Sequence, residues 1–111
     1  MDTNQLQNET AASIARLNDA ARDNAIHYVA TLGVLSLDEE TICIIFEGVQ
    51  NFKDFTEDND PYGEHDFGSF TVKGNKIFWK IDYYDRELSG WCDPLSPDCR
   101  RVITIMLAEE Y

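Results

Sequence analysis

The sequence is short of bases, cysteine, proline and long apolar runs, and it lacks any familiar catalytic motif. No stretch approaches the ~18 consecutive apolar residues that a membrane-spanning helix requires. Met1 to Glu9 carries neither a basic start nor an apolar stretch, so no secretory signal and a cytoplasmic location are expected. The three cysteines are an odd number. Without an export signal, free thiols are the expectation. Cys92 and Cys99 flank a loop holding Pro94 and Pro97, and a pairing between them stays open. There is no phosphate loop, no Cys-x-x-Cys and no serine in a nucleophile-elbow pattern. An enzyme is therefore not the first expectation, and neither cofactor nor metal is called for.

The scarcity of bases is the strongest signal. Nine Lys and Arg stand against 21 Asp and Glu, for a net charge of −12. Such a chain is repelled by nucleic acid and by anionic membrane, and it is attracted to basic protein surfaces. The 111 residues fit one domain, 1–111. At 43% hydrophobic and 27% charged, the chain has enough apolar residues for a core and is no disordered polyelectrolyte.

Leu6, Thr10, Ile14, Leu17 and Ala21 recur at helical spacing, with Asn8 or Thr10 as candidate caps and Asn24 as the end. Arg16, Asp19 and Arg22 lie off that stripe. Ala25 to Val34, with Ile26, Tyr28, Val29 and Thr31, suits a strand that Gly33 interrupts near its end. Ser36-Leu37-Asp38-Glu39 has the form of a capping box, with Ser36 as the cap. The helix it opens presents Ile42, Ile45, Phe46, Val49 and Phe52. Cys43 reads as a small core residue in that helix, and Gly48 as a point of close approach. Asp54 to Gly68 is a polar loop, and Gly74-Asn75 then reads as the turn of a hairpin. One face of the hairpin collects Phe70, Val72, Ile77, Trp79, Ile81 and Tyr83. The other collects Ser69, Thr71, Lys73, Lys76, Phe78, Lys80, Asp82 and Tyr84. After a loop from Arg86 to Asp98, Arg100 to Ala108 reads as a last strand buried on both faces. The expected fold is α+β, a mainly antiparallel four-stranded sheet with two helices packed on one face, in the order α-β-α-β-β-β.

Three blocks carry a resemblance. Asp58-Asn59-Asp60-Pro61-Tyr62-Gly63-Glu64-His65-Asp66-Phe67-Gly68 is the first and Phe78-Trp79-Lys80-Ile81-Asp82-Tyr83-Tyr84-Asp85 the second. Ile103-Thr104-Ile105-Met106-Leu107-Ala108-Glu109-Glu110-Tyr111 is the third, with Ile14 to Asp19 as an earlier match. Together they resemble a small bacterial family of unknown function whose members are similar to proteins of plasmids and other mobile elements. The resemblance implies no catalytic residues. It implies a setting in which host defences that grip nucleic acid are the opponents.

The acids concentrate. Asp54, Glu57, Asp58, Asp60, Glu64 and Asp66 fall in one loop with no Lys or Arg among them, and Asp82 and Asp85 extend the run. A solvated loop is the bland reading of such a cluster. The sharper one is a surface that imitates nucleic acid, which offers one charge per ~1.7 Å of duplex axis. A calcium loop counted from Asp58 gains Asp60, Gly63 and Asp66 but has Tyr62 at its fifth position and Ser69 at its twelfth, where a bidentate Glu belongs. His65, flanked by Glu64 and Asp66, suits a hydrogen-bonded loop better than a general base. Phe78 and Tyr84 on the wet hairpin face, with Trp91 in a loop, are candidate interface anchors.

The expected function is anti-defence, anti-CRISPR or anti-restriction. The partner is a protein with a basic nucleic-acid-binding surface, and direct binding to nucleic acid or membrane is not expected. The alternatives are a regulatory or adaptor module using Phe78, Tyr84 and Trp91, and a small metal-dependent hydrolase around His65, Asp66 and Asp60. A homodimer through the wet sheet face is an intermediate option.

Overall fold

The computed structural model describes residues 3–24 and 27–111. Its elements are α1 (Thr3–Asn24), β1 (Tyr28–Ala30), α2 (Leu32–Leu35), α3 (Glu39–Gln50), β2 (Phe67–Val72), β3 (Asn75–Tyr84) and β4 (Arg100–Leu107), then a 3-10 turn over Ala108–Glu110. The four strands form one sheet in the order β1-β4-β3-β2. β2–β3 and β3–β4 are antiparallel, whereas β1 runs parallel to β4. The fold is α+β, as expected. Among the described residues, no helix is long and apolar enough to cross a membrane.

α3 forms where its apolar spacing places it. Ile45, Val49 and the following Phe52 are buried against Ile77, Trp79, Ile81, Ile103 and Ile105 of the sheet. Its cap is Asp38, not Ser36. The Asp38 carboxylate accepts from the Thr41 amide at 3.2 Å and from its hydroxyl at 2.6 Å. Ser36 instead donates to the Leu32 carbonyl at 2.6 Å, closing α2. Cys43 is exposed, because its position falls on the solvent side of α3, and all three cysteines are free. Gly48 is the expected close approach: a Cβ there would lie 2.7 Å from the Phe70 ring.

β1 is shorter than its pattern, ending at Ala30, and Leu32–Leu35 is a helical turn. The first residues of the expected strand, Ala25 and Ile26, lie outside the described residues. The hairpin turn is Lys73-Gly74, one residue before the expected Gly74-Asn75. Both residues have positive φ, 49° and 83°, as a type I′ turn demands. Phe70 therefore faces Ile77 and Gly68 faces Trp79. Moving the turn by one residue shifts both strands together, so the pairing changes by two and the faces stay as expected. Val72, Ile77, Trp79 and Ile81 are buried. β4 buries Ile103, Ile105 and Met106, while Val102 and Thr104 are only half-buried, so its outer side is partly open.

α1 departs most from expectation. Leu6 and Leu17 are 56% and 44% exposed, while Asn18 and Arg22 are 0% and 3% exposed. The buried face runs through Ile14, Ala15, Asn18 and Arg22. Asn8 and Thr10 lie inside the helix, and Thr10 donates its hydroxyl to the Leu6 carbonyl. Burial here follows hydrogen bonding rather than apolar area, because the Asn18 amide and Arg22 Nη1 find distant partners, although Arg22 Nε is buried without one among the described residues.

Candidate functional site

The acidic loop between α3 and β2 is built, not loose. Asn59 accepts from the Thr56 amide and donates to the Asp54 carbonyl, both at 2.8 Å. The Asp60 side chain, 5% exposed, accepts from the Glu64 amide at 3.1 Å and the His65 amide at 3.3 Å. Those contacts hold His65 at a φ of 56°. Asp60 thus organises the loop from within and is withdrawn from the outer surface.

His65 ties this loop to the helices. Its ring stacks on Phe55 with centroids 3.8 Å apart and planes 2° from parallel. Nδ1 lies 2.9 Å from an Asp19 oxygen, and Nε2 lies 3.7 Å from Asp60. Asp19 also accepts from Arg22 at 2.8 Å. Arg22 donates to the Val49 and Phe52 carbonyls at the end of α3, at 2.8 and 3.0 Å. Its guanidinium sits 4.9 Å from the centre of the Trp79 ring. A second tether runs through Asn18, whose amide donates to the Glu64 carbonyl and the Tyr83 hydroxyl, both at 2.9 Å, and accepts from Arg101 Nε. Burial pushes the Tyr83 hydroxyl up to about 12. Both ring nitrogens of His65 face carboxylates, which suits a tether better than a general base with a nitrogen free for substrate.

The remaining acids fall into three groups. Asp54, Glu57 and Asp58 are exposed along the loop. Asp85 folds its carboxylate onto Ser89, accepting from its amide at 2.9 Å, and that hydrogen bond holds its carboxyl below the usual range. Glu64, Asp66 and Asp82 lie toward the sheet. Burial, then the neighbouring Asp66 and Asp60, raises the Glu64 carboxyl. Burial also raises Asp66, helped by Asp60 and Asp82 and opposed by a backbone hydrogen bond and His65. Asp82 is 38% exposed and has Lys80 at 3.1 Å.

Two sequence-derived sets meet here. Asp66, Asp82, Tyr84 and Trp91 line one groove of about 310 Å³. It opens along β3 past the start of β2, where segment 90–92 lies beside the strand: Trp91 bridges Tyr84, and the Cys92 amide donates to the Tyr83 carbonyl. Trp91 is 72% exposed. Arg100 pairs with Tyr84 on its other side. Trp91 and Arg100 are therefore two strand spacings apart, about 9.6 Å, which separates the neighbouring Cys92 and Cys99 by more than a disulfide spans. Phe78 is not part of this groove. It packs edge-on against Phe67 and Tyr111, at 5.3 and 5.4 Å, elsewhere on the helix-free face.

Among the described residues, no three His, Cys, Asp or Glu side chains converge as metal ligands. Asp60, which the calcium reading needed, points into backbone amides. Counting apolar periods missed Asn18, Asp19 and Arg22. Their one signal is Asn18 and Arg22 spaced by four residues beside Ile14 and Ala15, a second helix stripe that looks polar in sequence.

The chain belongs to the family described as protein of unknown function (DUF3768), whose profile matches residues 30–110. The match contains the acidic loop, the groove and the three later sequence blocks up to Glu110, and it begins after α1. No curated protein and no solved structure matches the chain.

Proposed function

We propose that this protein binds a macromolecular partner through the acidic loop and the groove beside it. The partner's surface is basic and normally holds nucleic acid, and binding blocks it. In this reading the protein is an anti-defence factor of a mobile element, directed against a CRISPR or restriction enzyme, and it acts in the cytoplasm without catalysis.

One observation carries the proposal: exposed Trp91 and half-buried Tyr84 share a groove with Asp66 and Asp82, at the foot of a loop that presents Asp54, Glu57 and Asp58 to solvent. A carboxylate beside an aromatic ring suits a Lys or Arg side chain, which gains both a charge partner and a π face. Glu64 and Asp66 are held where burial first, and neighbouring carboxylates after it, disfavour their charge. A cationic partner relieves that repulsion. The mimicry is of charge more than of regular spacing, since only Asp82 among these acids lies on a strand.

The test uses the immobilised protein as bait in lysate of its bacterial host, at low and high salt. A nuclease or CRISPR subunit that elutes with salt is the expected result. Capture that survives high salt and neutralisation of Asp54, Glu57, Asp58 and Glu64 to their amides overturns charge mimicry. It favours instead the adaptor reading, for which the Phe67, Phe78 and Tyr111 cluster on the uncovered sheet face is the supporting feature.

A further inference from the structure

Each edge of a sheet leaves a row of backbone groups without a ladder partner. The two edges here are β1 and β2. β1 is three residues long, whereas β2 runs for six, Phe67–Val72. The Ile81 amide donates to the Asp66 carbonyl at 2.9 Å, which fixes the alternation of the β2–β3 ladder. Gly68, Phe70 and Val72 bond inward, to Trp79, Ile77 and Asn75. Phe67, Ser69 and Thr71 therefore turn their N–H and C=O groups outward. Among the described residues, nothing bonds to those groups.

Proteins blunt such edges with charges, proline or a bulge. β2 has none of these: Phe67-Gly68-Ser69-Phe70-Thr71-Val72 is uncharged, and its register with β3 is unbroken. The segment is also its own complement. An antiparallel register centred on Ser69 brings Ser69 opposite Ser69 of a second copy, Phe67 opposite Thr71 and Gly68 opposite Phe70. Every outward residue then faces an outward residue, and each such pair exchanges two hydrogen bonds. The two-fold axis stands perpendicular to the sheet, so the helices of both copies stay on one side. On that side Phe70, half-buried beneath Gly48, gains cover. Ile44, one turn before Gly48 on the same stripe of α3, is 38% exposed there.

Charge works both ways. At each end Val72 falls opposite Asp66 of the other copy, and Lys73 follows it. Lys73 attracts that carboxylate, but Asp38 and Glu40, 3.9 and 3.7 Å from its ammonium, oppose the gain. Each copy also carries a net charge of −12 and repels the other. Salt screens repulsion between exposed charges and leaves the hydrogen bonds and apolar contacts of the edge in place.

We infer that two copies of this chain pair through β2, antiparallel and centred on Ser69, to form one eight-stranded sheet. The pairing tightens as salt rises, opposite to the salt response of the proposed acidic contact, so the two readings fail independently.

Sedimentation equilibrium of the full chain, across concentration and salt, measures the mass. Exchange between 12.7 kDa and twice that mass is expected, with salt favouring the dimer. Hydrogen exchange followed by proton–nitrogen NMR locates the contact: the Phe67, Ser69 and Thr71 amides should slow with rising concentration. Ser69→Pro removes an outward N–H that the monomer does not use. Ser69→Lys sets two like charges opposite each other at the axis. Each should weaken the dimer about tenfold or more. Circular dichroism checks the fold of both variants, and the exchange result on the parent stands without them. A monomer at every concentration up to millimolar in high salt overturns the inference. So does a dimer whose Phe67, Ser69 and Thr71 amides exchange as fast as in the monomer, or one that a folded Ser69→Lys leaves unchanged.

Discussion

Arg22 is the residue whose replacement should cost most for the least change in shape. It is 3% exposed and donates to two carbonyls at the end of α3. Arg22→Met keeps an unbranched stem, though a shorter one, and removes the hydrogen bonds to both carbonyls. Each hydrogen bond from a charged donor contributes ~1.5–3 kcal/mol, and the abandoned carbonyls stay buried. The cost of dehydrating the guanidinium disappears with it, which offsets part of the loss. A net loss of about 3 kcal/mol follows, a large share of the ~5–15 kcal/mol typical of a domain. For a chain of this size that lowers Tm by about 12–24 °C. Urea unfolding read by Trp79 fluorescence, with Trp91→Phe in both backgrounds, measures it. Arg22→Lys, which keeps charge without the fork, should fall between. If Arg22→Met lies within about 0.5 kcal/mol of the parent, the ordinary range for surface changes, then Arg22 does not join α1 to the core.

Gly48→Ala should destabilise by about 1–3 kcal/mol, the usual cost of overpacking, since the new Cβ meets the Phe70 ring at 2.7 Å; chemical denaturation checks this. Asp66→Asn should stabilise the protein at neutral pH. The folded state raises the Asp66 carboxyl, so it holds that proton more tightly than the unfolded chain. Stability is lost as pH rises from the ordinary aspartate value through the raised one. The gain from Asp66→Asn should therefore shrink on acidification through that window, and Tm recorded against pH reads the sign. Trp91→Ala should leave stability within about 0.5 kcal/mol, because the ring is 72% exposed. The same change should weaken partner binding about tenfold or more, as loss of an aromatic anchor does, which calorimetry separates from folding.

What the sequence revealed follows from where burial is local. α3 was legible because Ile45, Val49 and Phe52 are apolar and evenly spaced. The faces of the hairpin were legible because alternation survives a shifted turn. The turn itself was not. Lys73 adopts positive φ although Lys has no special preference for it, and the signal pointed at Gly74-Asn75. α1 misled because its buried face carries Asn18 and Arg22, whose partners lie 46 and 65 residues away for Asn18 and 27 and 30 for Arg22. No periodicity in a helix encodes such contacts. The acidic loop was located correctly, but its residues looked equivalent. Hydrogen bonding sets them apart: Asp60 and Asp85 serve the backbone, Asp54, Glu57 and Asp58 face solvent, and Asp66 and Asp82 join the aromatics.

The central claim is that the acidic surface occupies a site made for nucleic acid. The direct measurement is competition: the affinity of the captured enzyme for its own nucleic acid, with rising concentrations of this protein. The account predicts mutually exclusive binding, lost when Asp54, Glu57, Asp58 and Glu64 become amides and restored when they revert. A ternary complex in which the enzyme holds nucleic acid and this protein together, each with undiminished affinity, contradicts it.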